Sequence, residues 1–130
     1  MKLPFLYGKV HRAVVTAADL DYEGSLTLDQ DLMDAAGLFP NQRIEVLNIT
    51  NGNRLATYLI PGDRGKGDCC VNGAAAHLCA AGDRVIVVAY CELEPHEIAS
   101  HRPKVVLVGK HNTIYQVKSV ETPHTKVPSF

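Results

Sequence analysis

The dipeptide Asn51-Gly52 separates two segments, 43–50 and 53–60, in which apolar and polar residues alternate. An Asn-Gly pair between alternating segments is the strongest short-range signal for a β-hairpin, and its tightest form closes through a type I′ turn. The sequence therefore predicts two antiparallel strands joined by a type I′ turn at this point.

Ten glycines and seven prolines interrupt the rest of the chain in a similar way. This punctuation favours many short strands over a few long helices. Further strands are expected at 5–17, 25–28, 68–71, 84–91, 104–108 and 113–120. On the first of these, alternation predicts that Lys9, His11 and Ala13 share one face, with Val10 and Arg12 on the other.

Short helices complete the expected pattern. Asp29 can cap a helix that runs to Ala36 and stops at Gly37. Helical turns are also expected within 74–80 and 92–101, loops at 18–24 and 61–67, and a loose tail at about 121–130. The whole chain of 130 residues is predicted to form one mainly β domain, an all-β barrel whose closure removes exposed sheet edges.

Charge and hydropathy exclude several classes of protein. Thirteen basic and fourteen acidic residues give a net charge of −1, which provides no electrostatic footprint for nucleic acid or anionic lipid. The first apolar patch is too short for a signal peptide, and the uncharged stretch 69–82 is too short to span a bilayer. We expect a cytoplasmic protein without nucleic-acid or membrane partners.

The four cysteines, Cys69, Cys70, Cys79 and Cys91, contain no C-x-x-C pair and are interpreted as reduced thiols. Adding His77 gives residue types that bind zinc, but the spacing matches no familiar site, so no metal is expected. Gly67 stands where a phosphate-binding P-loop needs Ser or Thr, and the sequence has no G-x-S-x-G or H-E-x-x-H motif. An enzyme of this length is expected to use a small site or to make its reactive group from its own chain.

An ordered series of motifs covers about residues 7–108. It reads G-K-V-H-R, D-L-D-Y-E-G-S, M-D-A-A-G, N-I-T-N-G-N-R, T-Y and V-N-G-A-A-A-H. In this order the series resembles the pyruvoyl-dependent aspartate 1-decarboxylases. The resemblance implies a double-psi β-barrel, a homotetramer with sites between subunits, and conversion of L-aspartate to β-alanine and CO2 in pantothenate biosynthesis.

The resemblance also implies that the chain is an inactive proenzyme that cuts itself between Gly24 and Ser25. The products are a β chain, 1–24, and an α chain, 25–130. The Ser25 hydroxyl would attack the Gly24 carbonyl, and elimination and hydrolysis would leave a pyruvoyl group at position 25. Lacking a Cβ, Gly24 can adopt the strained backbone that this attack needs. Thr57 matches the family position that stabilises the oxyanion.

Further roles are implied by the same resemblance. The pyruvoyl group forms a Schiff base with the substrate, so neither a metal nor pyridoxal phosphate is needed. Tyr58 is the implied proton donor, and Arg54 and Lys9 the implied cations for carboxylate binding. Thr57 and the backbone N–H groups of Gly73, Ala74 and Ala75 complete the implied substrate site, and His11, Tyr22 and Asn72 are candidate supporting residues.

Strand geometry adds one constraint. Arg54 and Tyr58 share a face of a regular strand, whereas Thr57 points to the other. Either a bulge re-aims one of them, or the site lies where several segments or subunits meet, and the second interpretation is favoured. Two rival functions remain open: a binding module with an intact Gly24-Ser25 bond, and a serine hydrolase that uses Ser25 and His11. Whether cleavage needs a maturation factor also stays open.

Overall fold

The computed structural model describes residues 1–128, so the last two residues of the expected tail lie outside the described part. Within it, strands run as β1 Leu3–Val14, β2 Ala17–Asp19, β3 Ser25–Asp29, β4 Arg43–Asn48, β5 Arg54–Gly62, β6 Cys69–Asn72, β7 Arg84–Leu93, β8 Lys104–Val108 and β9 Ile114–Lys118. Helix α1 spans Gln30–Ala36, and 3₁₀ helices span Gly73–His77, Pro95–Ser100 and Lys110–Asn112. The predicted mainly β fold with a few short helices is confirmed.

The nine described strands form one sheet in the order β2-β6-β3-β5-β4-β7-β1-β8-β9. Strand β5 connects its two parts, because its first half pairs with β4 and its second half, from Leu59, pairs with β3. Among residues 1–128 no ladder joins β2 to β9, so the expected closure of the sheet is not observed. Strand β1 lies inside the sheet, antiparallel to β7 and parallel to β8.

Strand β1 departs from simple alternation at Arg12, whose φ is 69°. The pairing with β7 shifts register between His11 and Ala13 at this bulge. Because the extra residue reverses the facing of the rest of the strand, Ala13 is fully buried like Val10. The prediction that Ala13 shares a face with Lys9 and His11 is therefore wrong. The single strand predicted at 5–17 is also divided, and β2 extends from Ala17 into residues that were expected to be loop.

The predicted pairing of β4 with β5 is confirmed, and the predicted turn type is wrong. A type I′ turn needs positive φ at both central residues, but only Gly52 of the pair has it, at 79°. The connection between β4 and β5 covers residues 49–53 and is longer than a two-residue turn. It is held by the side-chain Oδ1 of Asn48, which accepts hydrogen bonds from the N–H groups of Thr50 (2.9 Å) and Asn51 (3.3 Å). Local side-chain bonding of this kind competes with the tight hairpin.

Helix α1 begins and ends where the sequence predicts. The side chain of Asp29 accepts a hydrogen bond from the N–H of Asp31, and Gly37 closes the helix with a φ of 71°. Leu32, Met33 and Ala36 face the core, which is built from the inner side chains of the strands.

The four cysteines are free, and burial raises the pKa of Cys69 to about 12. No group of three or more His, Cys, Asp or Glu side chains within residues 1–128 is arranged to hold a metal ion. No helix in the same range is both long and apolar enough to cross a bilayer.

Candidate active site

The Gly24–Ser25 peptide lies at the entrance to β3, between β5 and β6. Strand β3 pairs in parallel with β5, with Leu26 opposite Leu59, and antiparallel with β6, with Ser25 opposite Asn72. The parallel ladder begins only at Leu26; continued two residues back, its register would set Gly24 opposite Thr57. Before Leu26 the chain no longer pairs with β5, and the Gly24–Ser25 peptide borders the space between Gly24 and Thr57.

A cavity of about 410 Å³ fills this space. It is lined by Gly24, Leu55, Ala56, Thr57, Tyr58, Asn72, Ala74, Ala75 and Leu78. Six of the residues predicted from the sequence are thus gathered around one space. Leu55, Ala56 and Leu78 were missed, because apolar residues beside functional motifs carry no chemical signal of their own.

Ser25 is fully buried, and polar neighbours hold its hydroxyl. Its Oγ lies 3.3 Å from the carbonyl oxygen of Glu23, to which it donates. The Nδ2 of Asn72 donates to the same Oγ at 3.3 Å and to Oγ1 of Thr27 at 3.1 Å. Asn72 thereby fixes the position of the Ser25 side chain. Thr27 was not predicted, although its position two residues after Ser25 puts it on the same strand face.

Gly73 packs directly against the Gly24 backbone. Its φ is 66°, and a Cβ added there would lie 2.5 Å from the Cα and 2.7 Å from the nitrogen of Gly24. At Gly24 itself, the nearest atom to an added Cβ would be 3.9 Å away, and the φ does not lie in the left-handed region. In the unbroken chain the positive φ that favours glycine is therefore at position 73, and the strained backbone expected of Gly24 during the attack stays a prediction.

Strand β5 presents its residues alternately. Arg54 and Tyr58 are exposed whereas Thr57 is half-buried, which confirms the predicted division of faces. The β4–β5 register runs without a shift from Arg54 to Tyr58, so no bulge re-aims these side chains. Thr57 and Tyr58 both reach the cavity because it opens along the edge of β5 before Leu59, where no strand within residues 1–128 pairs with it. Arg54 instead lies beside the turn between β4 and β5.

Lys9 lies on a distant part of the sheet. Aligned pairs run from Lys9 through Val88 and Glu45 to Ala56, which makes three steps between strands. At about 4.8 Å a step, Lys9 is about 14 Å from β5 along the sheet. Its Nζ forms an ion pair with Oε2 of Glu121 at 3.0 Å. Tyr22 is largely exposed in the turn before Gly24 and lines no part of the cavity.

His11 is on β1, in the row that leads through Ile86 and Leu47 to Arg54. No described residue hydrogen-bonds to its buried Nδ1. Burial, followed by the charges of Lys9 and Arg12, lowers the pKa of His11 to about 4. Within residues 1–128, the hydrogen-bond partners of Ser25 Oγ are Glu23 and Asn72, so the Ser25–His11 pair of a serine hydrolase is not formed.

Comparison with known proteins identifies the family. The model of the aspartate decarboxylase family matches residues 1–115. The aspartate 1-decarboxylase of Neisseria meningitidis is 55% identical over 120 residues, which cover 92% of this chain and 94% of the relative. Those of Carboxydothermus hydrogenoformans and Bacillus subtilis are 50% and 49% identical, covering 93% and 91% of this chain and 95% and 93% of the relatives.

The chain belongs to the aspartate decarboxylase family. The family predicted from the motif series is therefore confirmed. The family match includes every site residue predicted from the sequence, from Lys9 to Ala75, whereas Glu121 lies beyond it. One chain of this family member brings Gly24, Thr57, Tyr58, Asn72, Ala74 and Ala75 to one cavity, which Gly73 adjoins through its contact with Gly24. It does not bring Lys9, His11, Tyr22 or Arg54 to the same cavity.

Proposed function

We propose that this chain is a self-processing decarboxylase that converts L-aspartate to β-alanine and CO2 with a pyruvoyl group made from Ser25. The names of its relatives support the decarboxylase activity. One observation carries the self-processing: a fully buried serine, held by Asn72, follows a Gly24 that borders the cavity and packs against Gly73. Neither a catalytic metal nor pyridoxal phosphate is part of the proposal.

The proposed cut uses groups of this chain alone. Ser25 Oγ attacks the Gly24 carbonyl carbon, the peptide C–N bond breaks, and an ester joins the two residues. Thr57, beside Gly24 in the cavity, donates a hydrogen bond to the oxyanion that forms during the attack. Loss of the Ser25 α-proton then breaks the Cβ–O bond and releases Gly24 as a carboxylate. Water converts the dehydroalanine that remains to pyruvoyl and ammonia.

The surroundings of position 25 fit a pyruvoyl group. In the unbroken chain Gly24 lines the cavity whereas Ser25 does not, so the cut would open position 25 to this space. Asn72 would hold the new chain end from β6. When present, the pyruvoyl carbonyl supplies the electron sink that decarboxylation of an amino acid requires.

The remaining side chains would bind the substrate and move a proton. Tyr58 lines the cavity, and its hydroxyl would protonate the α-carbon after CO2 leaves. Backbone N–H groups at Gly73, Ala74 and Ala75, together with Thr57, would hold substrate oxygens. Arg54 would bind the side-chain carboxylate through two parallel hydrogen bonds. Lys9 would add a second positive charge.

Assembly is part of the proposal because a single chain leaves Lys9 and Arg54 away from the cavity. We propose a homotetramer of double-psi β-barrels in which a neighbouring copy completes each site, with pantothenate biosynthesis in the cytoplasm as its setting. A maturation factor that assists the cut is an open part of this proposal. Cleavage of the chain purified alone would show that no such factor is required.

Mass spectrometry of the purified protein tests the proposal directly. We expect fragments 1–24 and 25–130, the second with a ketone in place of the serine amine. Borohydride added with aspartate should attach the amino acid covalently to the larger fragment. Ser25→Ala should remain one chain and trap nothing. A readable Ser25 N-terminus in fully active enzyme would contradict the mechanism, and an unbroken, inactive chain would favour a binding module.

A further inference from the structure

Three asparagine side chains converge on one backbone carbonyl. The carbonyl oxygen of Leu78 accepts hydrogen bonds from Nδ2 of Asn48 at 3.2 Å, of Asn51 at 3.0 Å and of Asn53 at 3.3 Å. All three donors lie where the chain turns from β4 to β5: Asn48 ends β4, and Asn51 and Asn53 follow it in the connection. We call Asn48, Asn51 and Asn53 the amide cluster.

The amide orientations in this cluster are determined by other contacts. Oδ1 of Asn48 accepts from two backbone N–H groups, and its Nδ2 also donates to Oδ2 of Asp83 at 2.9 Å. Oδ1 of Asn51 accepts from the N–H of Asn53 at 2.9 Å. Since backbone N–H groups can only donate, the oxygen of each of these two amides must face the turn and its nitrogen must face Leu78.

Leu78 closes the segment that forms one wall of the cavity. The 3₁₀ helix Gly73–His77 ends there, and the N–H of Leu78 donates to the carbonyl of Ala75 at 3.0 Å. Ala74, Ala75 and Leu78 all line the cavity. Of the residues of this helix, Gly73 is buried and Ala75 packs partly against the core, as does the buried Cys79 just after Leu78. The hydrogen bonds to Leu78 therefore add to core packing in holding the wall.

The wall is consequently attached at its two ends. At one end, β6 holds Asn72 in the ladder with β3. At the other, the amide cluster holds the carbonyl of Leu78. Between the two attachments stand the backbone N–H groups that the proposed function assigns to substrate binding.

We propose that the amide cluster is a positioning device for the substrate site: it sets the 73–78 wall at the distance from Gly24 and Tyr58 that binds the substrate. The inference rests on the proposed function for its substrate, and on the geometry alone for the attachment. A carbonyl oxygen has two lone pairs, so three donors share it and each single loss is partial. No amide of the cluster lines the cavity, so none can contact the reacting atoms. Loss of a cluster hydrogen bond should therefore change the KM for the substrate and leave kcat nearly unchanged.

The test uses Asn51, whose side chain is exposed, so its replacement leaves the core intact. Asn51→Ala removes the donor to Leu78, together with the acceptor for the N–H of Asn53, and should raise the KM for aspartate about 2- to 10-fold, the range expected from losing one hydrogen bond to the wall, with kcat within twofold of wild type. Asn51→Ala/Asn53→Ala should raise KM further. Asn51→Asp keeps the shape and the acceptor but turns an oxygen toward Leu78, so it should raise KM at least as much as the alanine variant. Thr50→Ser keeps the hydroxyl that accepts from Arg84 and is the matched control.

Hydrogen exchange provides a readout that does not depend on activity. In the asparagine variants, exchange should accelerate in peptides covering 73–78 and remain unchanged in β1, β7 and β8. Unchanged exchange at 73–78, or an increase spread over the whole chain, would overturn the positioning role. Faster local exchange with an unchanged KM would overturn its link to the substrate. If wild type fails to decarboxylate aspartate, the proposed function fails, and the exchange measurement still decides whether the cluster holds the wall.

Discussion

Gly73 and Gly24 touch so closely that position 73 has no room for a side chain. A Cβ on Gly73 would approach the Cα of Gly24 to 2.5 Å and the Tyr22 carbonyl to 3.1 Å, all backbone atoms that cannot rotate away. Any residue larger than glycine at position 73 must therefore displace the peptide proposed to be cut.

Gly73→Ala should remain largely unbroken at Gly24–Ser25, because the methyl group moves the Gly24 carbonyl away from the Ser25 hydroxyl. Gly65→Ala is the matched control: its φ is 77°, but an added Cβ meets nothing within 4 Å, so it carries only the backbone strain of about 1 kcal/mol. Denaturing gels of both variants measure the cut fraction. Equal cleavage of the two variants would remove the contact from the mechanism.

Thr57 and Tyr58 should separate the two proposed reactions. Thr57→Val keeps the shape but lacks the hydroxyl for the oxyanion, so the chain should fold and stay uncut. Tyr58→Phe should be cut normally and decarboxylate about 10²- to 10⁴-fold more slowly, because the α-carbon loses its proton donor. Intact mass and β-alanine production measure the two steps independently. Normal cutting of the first variant or normal turnover of the second would refute the corresponding assignment.

Mixed oligomers test whether a second copy supplies Arg54. Arg54 and Tyr58 are four residues apart on β5, about 13 Å, and only Tyr58 lines the cavity. Arg54→Ala and Tyr58→Phe should each be nearly inactive alone. Co-expressed, they should recover up to about a quarter of wild-type activity, since random mixing gives that share of sites both intact residues. Mixtures no more active than the single variants would place both residues of a site on one chain.

Acid should destabilise the fold through His11. Its pKa is about 4 in the folded chain against 6.5 ordinarily, so between these values the unfolded chain binds the extra proton and is favoured. Stability is fully present above pH 6.5 and falls as the pH drops toward 4. His11→Asn in the uncut Ser25→Ala background should lose less stability between pH 7 and 4.5, by about 1 to 2 kcal/mol after solvent screening. Urea titrations at the two pH values measure this difference, and equal losses would contradict it.

Glu121 should compete with the substrate for Lys9. The two side chains already form an ion pair at 3.0 Å, so a substrate carboxylate must displace that of Glu121. Glu121→Gln should lower the KM for aspartate about 2- to 5-fold, as expected from the weak energy of a surface ion pair, and leave the melting temperature almost unchanged. Glu94→Gln, which removes the ion pair with the N-terminus instead, is the control. If Glu121→Gln has the same KM as Glu94→Gln, Glu121 does not compete with the substrate carboxylate for Lys9.

The features of the fold that depend on neighbours in sequence could be predicted. Asp29 and Gly37 determine the two ends of α1 by contacts within a few residues, and the alternation of β4 and β5 predicts their pairing. Strand β2 could not be foreseen, because it pairs with β6, some fifty residues later in the chain. The side of the sheet on which Ala13 lies was predicted wrongly, because the types of the residues around Arg12 do not reveal the bulge there.

The candidate site divides in the same way. Motif order predicts that Gly24, Thr57, Tyr58 and Asn72 belong together, and they line one cavity. Gly73 opens the 3₁₀ helix after β6 and Gly24 precedes β3, so their contact depends on how β3 and β6 pair and leaves no sign in the residue types. The amide cluster was hidden because its acceptor is a backbone carbonyl, which every residue has.

The interior position of β1 has a consequence for the chain once it is cut. Fragment 1–24 would contain β1, which is held by β7 on one side and β8 on the other, and β2, which is held by β6. The small fragment could not leave without opening the sheet, so a nicked protomer would behave as a tightly bound pair of peptides. Once denatured, it would refold by a bimolecular encounter whose rate depends on concentration, whereas the unbroken chain would begin folding alone.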